Sequence, residues 1–191
     1  MTDNAKKMRA SDAQYTKVNT MVKIALLAAM AGVLMVIFKF PLPFAPPYMT
    51  VDFGDVPTLI AGFALGPVSG VITVILKNLI NLMLNGSTTG GVGELSNIIV
   101  GSTFVVLSSV IYQRDKTRKN AALGLFVGLL GMTALATLSN YFIIFPLYKV
   151  PVESFGWLAS FVVPFNLVKG ALNGLLTLAI YKYISNIFKK F

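Results

Sequence analysis

The chain has 191 residues, of which 55% are apolar and only 12% are charged, and its mean hydropathy is +0.75. Soluble proteins carry about 25% charged residues, so this sequence has too few polar side chains for a soluble surface and indicates an integral membrane protein. It contains neither histidine nor cysteine, which argues against disulfides, metal centres and the usual catalytic bases and nucleophiles. We expect no metal and no cofactor.

The apolar segments predict an all-α protein with six transmembrane helices in one domain, residues 18–191, behind a basic N-terminus, residues 1–17. A span of the bilayer core takes about 20 helical residues. The second segment has only ten residues, so we expect a short helix and leave open whether it crosses the membrane fully. The predicted segments are Val18–Phe38, Val56–Leu65, Val68–Leu84, Leu95–Tyr112, Ala121–Phe145 and one between Gly156 and Lys182.

Residues 39–55 connect the first two helices and are rich in both proline and apolar residues. Proline cannot occupy a helix interior, so four prolines in this stretch predict a loop, here named the lid loop. A second loop, residues 85–94, is rich in glycine, serine and threonine and is predicted to be flexible.

The basic residues predict the topology. All lysines and arginines but Lys39, Lys77, Lys149 and Lys169 fall in the N-terminus, at the start of the first segment (Lys23), in the 113–120 loop or in the C-terminus. Six spans place these three regions on one side, which the positive-inside rule makes the cytoplasm. The positive charge is thereby accounted for, and we do not expect nucleic-acid binding.

Polar residues inside the last apolar segment are the main candidates for a site. Asn166, Lys169 and Asn173 are spaced i, i+3 and i+7 and share one helical face. A charged side chain within a membrane helix costs about 2.5–3.5 kcal/mol, so Lys169 should face protein, water or ligand. Snorkelling of the lysine and hydrogen bonds between helices would also explain the pattern.

A second polar group, Lys77, Asn78 and Asn81, lies in the third segment. Here we favour a structural role, with Lys77 pairing with an acid such as Asp52 or Asp55.

In the first segment, Ala25, Ala28, Ala29 and Gly32 form a strip of small residues. Such a strip permits close helix approach, either inside the protein or against a partner.

Two classes of function fit these residues: a small substrate-binding membrane subunit, or an intramembrane enzyme or channel. Catalysis needs an acid, base or nucleophile with partners, and the seven acids are scattered. A channel usually has polar stripes on several spans, and here only two are notably polar. The chain also has no GxxxxGK[ST] motif, so it is not expected to hydrolyse ATP. Substrate binding is favoured.

Three stretches resemble one known family. The segment "KFPLPFAPPYMTVDFGDVPTLIAGFALGPVSGVITVILKNLIN" (39–81), with "LSNYFIIFPLY" and "VPFNLVKG" further on, resembles the S components of energy-coupling factor (ECF) vitamin transporters. The lid sequence, N-Y-F and P-F-N-x-x-K-G point to the riboflavin-binding members.

The resemblance implies a multi-pass protein of the bacterial cell membrane, with both termini cytoplasmic, that captures riboflavin from outside. It would deliver riboflavin inward with a transmembrane coupling protein and two ATPase subunits. An S component for FMN or another vitamin is the alternative.

The resemblance also implies positions for the site. Asn140, Asn166 and Lys169 would bind the isoalloxazine ring, and lid residues would cover its faces. The loop before the fourth helix would bind the ribityl chain. The strip of small residues would dock the coupling protein. The residues implied are Leu42, Phe44 and Tyr48 for the lid, Gly91, Glu94 and Asn97 for the ribityl chain, and Ala25, Ala28, Ala29 and Gly32 for docking.

Overall fold

The computed structural model describes residues 3–46, 49–87, 89–147, 156 and 158–188 and consists of six helices and one short hairpin. In chain order these are α1, Asp3–Ile37; β1, Lys39–Pro41; β2, Thr50–Asp52; α2, Asp55–Leu65; α3, Pro67–Asn85; α4, Val92–Arg114; α5, Arg118–Leu147; and α6, a π-helical turn Leu158–Val162 continued by Val163–Phe188. Five helices are long and apolar enough to cross a membrane, and α2 is shorter.

The helices follow the predicted segments closely. Predicted and observed limits of α2 and α3 agree to within a residue, and the glycine-proline pair at 66–67 separates them as expected. Helix α1 differs, because it begins at Asp3 rather than near Val18 and so includes much of the basic N-terminus.

The lid loop contains a hairpin that the proline count did not predict. β1 and β2 pair antiparallel, with Lys39 opposite Asp52 and Pro41 opposite Thr50. Proline is tolerated at the edge of so short a sheet because few donors are needed there. The pairing places Asp52 at the base of the hairpin, beside the start of α2.

Two helices contain a π-helical turn directly before a proline. In α5 the turn runs over Asn140–Ile144 and Pro146 follows; in α6 it runs over Leu158–Val162 and Pro164 follows. Proline has no N–H to donate to the preceding turn, which a widened turn accommodates. The first turn begins at Asn140, and the second ends four residues before Asn166, so each lies next to an asparagine predicted to bind ligand.

Small residues bring α4 and α5 together. A Cβ at Gly124 would lie 2.5 Å from the carbonyl oxygen of Ser108, so only glycine permits this approach.

At the end of the bundle away from the hairpin, Phe63, Tyr112 and Tyr181 stack around one another, with 4.4 Å between the first two rings. The Gln113 side chain donates to Phe63 O at 2.9 Å and so gives this backbone carbonyl near the end of α2 a hydrogen-bond partner.

Which end of the bundle faces the cytoplasm stays a prediction. The chain has no cysteine of its own, so introduced cysteines can be labelled cleanly. A cysteine replacing Lys116 should react with an impermeant thiol reagent only from the cytoplasmic side, and one replacing Gly90 only from outside. Labelling of both cysteines from the same side would contradict the six-span topology. Position 189, a natural third probe, lies outside the described residues.

Candidate functional site

A cavity of about 560 Å³ opens between the hairpin and the helix ends next to it. This volume is within the roughly 300–1,000 Å³ of small-molecule sites. Its walls come from the end of the hairpin, α2, the α3–α4 loop, α4, α5 and α6. The lining residues are Met49, Thr50, Asp55, Thr89, Val92, Gly93, Ser96, Asn97, Val100, Gly101, Asn140, Ile144, Phe145, Phe165, Asn166 and Lys169.

Four buried charges adjoin this cavity and form the charged quartet: Asp52, Asp55, Lys77 and Lys169. Their exposed fractions are 2%, 3%, 0% and 5%, respectively. The Lys77 ammonium donates a short hydrogen bond to Asp55 Oδ1, and Lys169 Nζ lies 3.1 Å from Asp52 Oδ2 and 3.7 Å from Asp55 Oδ2. The predicted pairing of Lys77 with an acid is confirmed. Two positive and two negative charges leave the quartet neutral.

Lys169 lines the cavity, and in the described part of the chain its ammonium has fewer close hydrogen-bond partners than donors. Its ammonium has three N–H groups, of which two are taken by Asp52 Oδ2 and Asn97 Oδ1, each at 3.1 Å. Within the described part of the chain, the next acceptor is Asp55 Oδ2 at 3.7 Å, beyond hydrogen-bond length. The third N–H can therefore donate to a ligand.

Asn140 and Asn166 both line the cavity, and each amide is oriented by its own helix. Asn140 Nδ2 donates to Ala136 O and Asn166 Nδ2 donates to Val162 O, both at 2.8 Å. An asparagine amide offers two donors and an acceptor, so each retains one N–H and its Oδ1 for a ligand. Asn173, on the same face of α6, instead donates to the backbone oxygen of Asp52 at 2.9 Å and serves the fold.

The loop before α4 is ordered by its own hydroxyls. Ser87 Oγ and Thr89 Oγ1 donate to the Glu94 carboxylate at 2.9 and 3.3 Å, and Ser87 Oγ accepts the Gly91 N–H at 2.7 Å. Three residues were predicted to bind the ribityl chain. Of these, Asn97 lines the cavity, whereas Gly91 and Glu94 do not.

The hairpin contributes Met49 and Thr50 to the cavity wall. The predicted lid residues Leu42 and Phe44 are half-buried and 43% exposed, respectively, and do not line the cavity in this arrangement. The third, Tyr48, lies outside the described residues.

The comparisons with known proteins decide the family. Residues 19–181 match the family of substrate-specific components of ECF transporters. The chain is an ECF S component. It is therefore a substrate-binding subunit of a transporter rather than an enzyme, and a multi-pass protein of the cell membrane.

Relatives of this S component are close in length and sequence. The riboflavin transporter RibU of Staphylococcus aureus is 35% identical over 89% of this chain and 92% of its own. The riboflavin transporter FmnP of Bacillus subtilis is 34% identical over 81% of this chain and 85% of its own. A solved structure, described as the S component of a bacterial ECF transporter, superposes with a TM-score of 0.78 at 35% identity, covering 91% of this chain and 99% of that one.

The strip of small residues in α1 of the S component divides into two faces. Ala28 and Gly32 are buried, and a Cβ at Gly32 would lie 2.5 Å from the Ile80 side chain of α3. Ala25 and Ala29 are exposed on the outer face of the bundle. The first pair serves internal packing, and the second pair remains available to a partner.

Sequence reasoning missed several residues that line the cavity of the S component, including Asp55, Ser96 and Phe165. Asp55 was predicted only as a possible partner for Lys77. The rule that intramembrane charges pair with one another could have linked it to Lys169 as well as to Lys77. Ser96 and Phe165 belong to apolar helical segments, and no pattern distinguishes them from packing residues.

Proposed function

We propose that this S component binds riboflavin from outside in the cavity and delivers it inward together with a transmembrane coupling protein and two ATPase subunits. The observation that carries the proposal is the convergence of Asn140, Asn166 and Lys169 on a single cavity. The riboflavin transporters among its relatives support the choice of ligand.

The polar edge of the flavin ring fits these three side chains. This edge has a ring N–H flanked by two carbonyl oxygens. An asparagine Oδ1 accepts from the N–H while the remaining amide N–H donates to a carbonyl. The third N–H of Lys169 donates to a carbonyl or ring nitrogen. Phe165 and Ile144 supply apolar contacts to the ring, as small-molecule sites usually do.

The ribityl hydroxyls would lie towards the α3–α4 loop, where Ser96 and Asn97 supply donors and acceptors. Glu94 and Gly91 would shape this loop through Ser87. Leu42, Phe44 and Tyr48 would cover the ring when the lid loop moves over the occupied cavity. The exposed pair Ala25 and Ala29 would dock the coupling protein.

Titration of the purified protein with riboflavin tests the proposal. Flavin fluorescence should be quenched on binding, and Asn166→Ala should weaken the affinity about tenfold to hundredfold, because a buried ligand group loses its partner, at a cost of about 1–3 kcal/mol.

Asn78→Ala is the matched control. Asn78 Nδ2 donates to Val74 O at 2.8 Å, as Asn166 does to Val162 O, and it is buried but does not line the cavity. It should bind riboflavin like the parent. A parent protein that quenches no riboflavin fluorescence would refute the proposal, and binding of another vitamin instead would identify a different S component. If the two variants weaken binding equally, the flavin ring does not bind at Asn166.

A further inference from the structure

The charged quartet is larger than the neutralisation of one lysine requires. Lys169 alone needs a single carboxylate, yet two carboxylates and a second lysine are buried with it. Burying charges costs several kcal/mol per ion before their attraction offsets it. Asp52 and Lys77 do not line the cavity, but each contacts a residue that does: Asp52 contacts Lys169, and Lys77 contacts Asp55.

The contacts of the quartet restrict the Lys169 ammonium. A lysine side chain has four rotatable bonds and, by itself, directs its charge poorly. Asp52 holds it at 3.1 Å, and Asp52 is itself fixed by the Gly54 N–H at 2.9 Å and, through its backbone oxygen, by Asn173. Asp55 is fixed in turn by Lys77. Three elements (the hairpin, α2 and α3) thus act on one side chain of α6.

The quartet also compensates the positive charge of Lys169, so that the four side chains together carry no net charge. An unpaired ammonium buried at the cavity would carry a large desolvation cost, which the two carboxylates offset. In the neutral quartet, the remaining N–H of Lys169 is a directed donor in a site without net charge.

We propose that Asp52, Asp55 and Lys77 are positioning residues that fix and neutralise the Lys169 ammonium, so that the cavity presents an oriented hydrogen-bond donor to an uncharged ligand ring. This inference rests on the proposed function, since riboflavin supplies the ring.

A cycle of charge-balanced variants tests the inference. Asp55→Asn with Lys77→Met removes one ion pair, Asp52→Asn with Lys169→Met removes the other, and all four substitutions together remove both. Each protein keeps a neutral cluster, and buried ion pairs replaced by neutral residues of similar size are commonly tolerated. Riboflavin affinity is measured for all four proteins, and monodispersity in detergent checks folding.

We expect replacement of Asp55 and Lys77 to weaken riboflavin binding about tenfold in the parent protein. When Lys169 and Asp52 are already replaced, the same change should weaken binding less than about twofold. The effects of residues that act through a shared partner are not additive. Equal weakening in both backgrounds would overturn the inference, since the pair would then act on the fold or touch the ligand directly. An undiminished affinity in the parent background would overturn it as well.

Asp55→Glu provides the same comparison if the double variant does not fold, because it keeps the charge and moves the carboxylate by one methylene. It should weaken binding in the parent background and leave it unchanged when Lys169 and Asp52 are already replaced; any other pattern would overturn the inference. A parent protein that binds no riboflavin would instead refute the proposed function itself, so the two failures are distinguishable.

Discussion

A Lys77→Met variant is expected to have a free energy of unfolding lower by about 3–5 kcal/mol, the usual cost of leaving a buried charge without its partner. Lys77 is fully buried, and its ammonium is the closest partner of the equally buried Asp55 carboxylate. Methionine has a similar length but no charge, so the carboxylate would keep only the more distant Lys169 ammonium at 3.7 Å. Thermal unfolding in detergent measures the change.

The double variant Lys77→Met, Asp55→Asn is the control for this result. It removes the carboxylate along with its partner, and we expect it to recover most of the lost stability, because no unpaired charge remains. If the single and double variants unfold at the same temperature, the pair contributes packing rather than electrostatics, and the cost assigned to the unpaired carboxylate is wrong.

Leucine at both Ala25 and Ala29 is expected to abolish riboflavin uptake while leaving riboflavin binding intact. The two alanines are exposed, one turn apart on α1, and neither lines the cavity. Added bulk on a small-residue face prevents close approach of a second helix. Uptake by cells that contain the complete transporter, compared with flavin quenching by the purified subunit, separates the two effects.

Ala134→Leu is the matched control for docking, because it adds the same bulk at an exposed position on α5. It should leave both uptake and binding unchanged. Loss of binding in the Ala25, Ala29 variant would mean that this face packs internally, and undiminished uptake would mean that the coupling protein docks elsewhere.

The helices could be predicted from the sequence because their boundaries are local. Apolar runs of sufficient length, the glycine-proline pair at 66–67 and the basic 113–120 loop each act over a few residues. The short α2 was predicted for the same reason, because Asp55 precedes this ten-residue segment and the glycine-proline pair follows it. Asn140, Asn166 and Lys169 were singled out because polar groups are costly in apolar segments, and the structure brings them to one cavity.

The pairing of Lys77 with an acid was predicted, but the contacts of Lys169 with the two aspartates and the hairpin were not, because they depend on contacts between distant parts of the chain. Lys169 pairs with Asp52, 117 residues earlier, and no periodicity in the sequence marks that partnership. The hairpin is stabilised by pairing and by the phenylalanine contacts around Phe53, whereas the four prolines are local evidence for a loop. The π-helical turns precede prolines 146 and 164, and the sequence analysis predicted no widened turn at either proline.

The composition of the quartet also has a consequence for the order of assembly during synthesis. Membrane helices enter the bilayer from the N-terminus onwards, as domains generally fold. After α3 has been inserted, Asp52, Asp55 and Lys77 leave one negative charge uncompensated, and the lysine that cancels it belongs to the last helix. The part of the bundle around the quartet therefore cannot reach its final arrangement until α6 has been inserted, and the cavity, which α6 helps to line, forms only at that step.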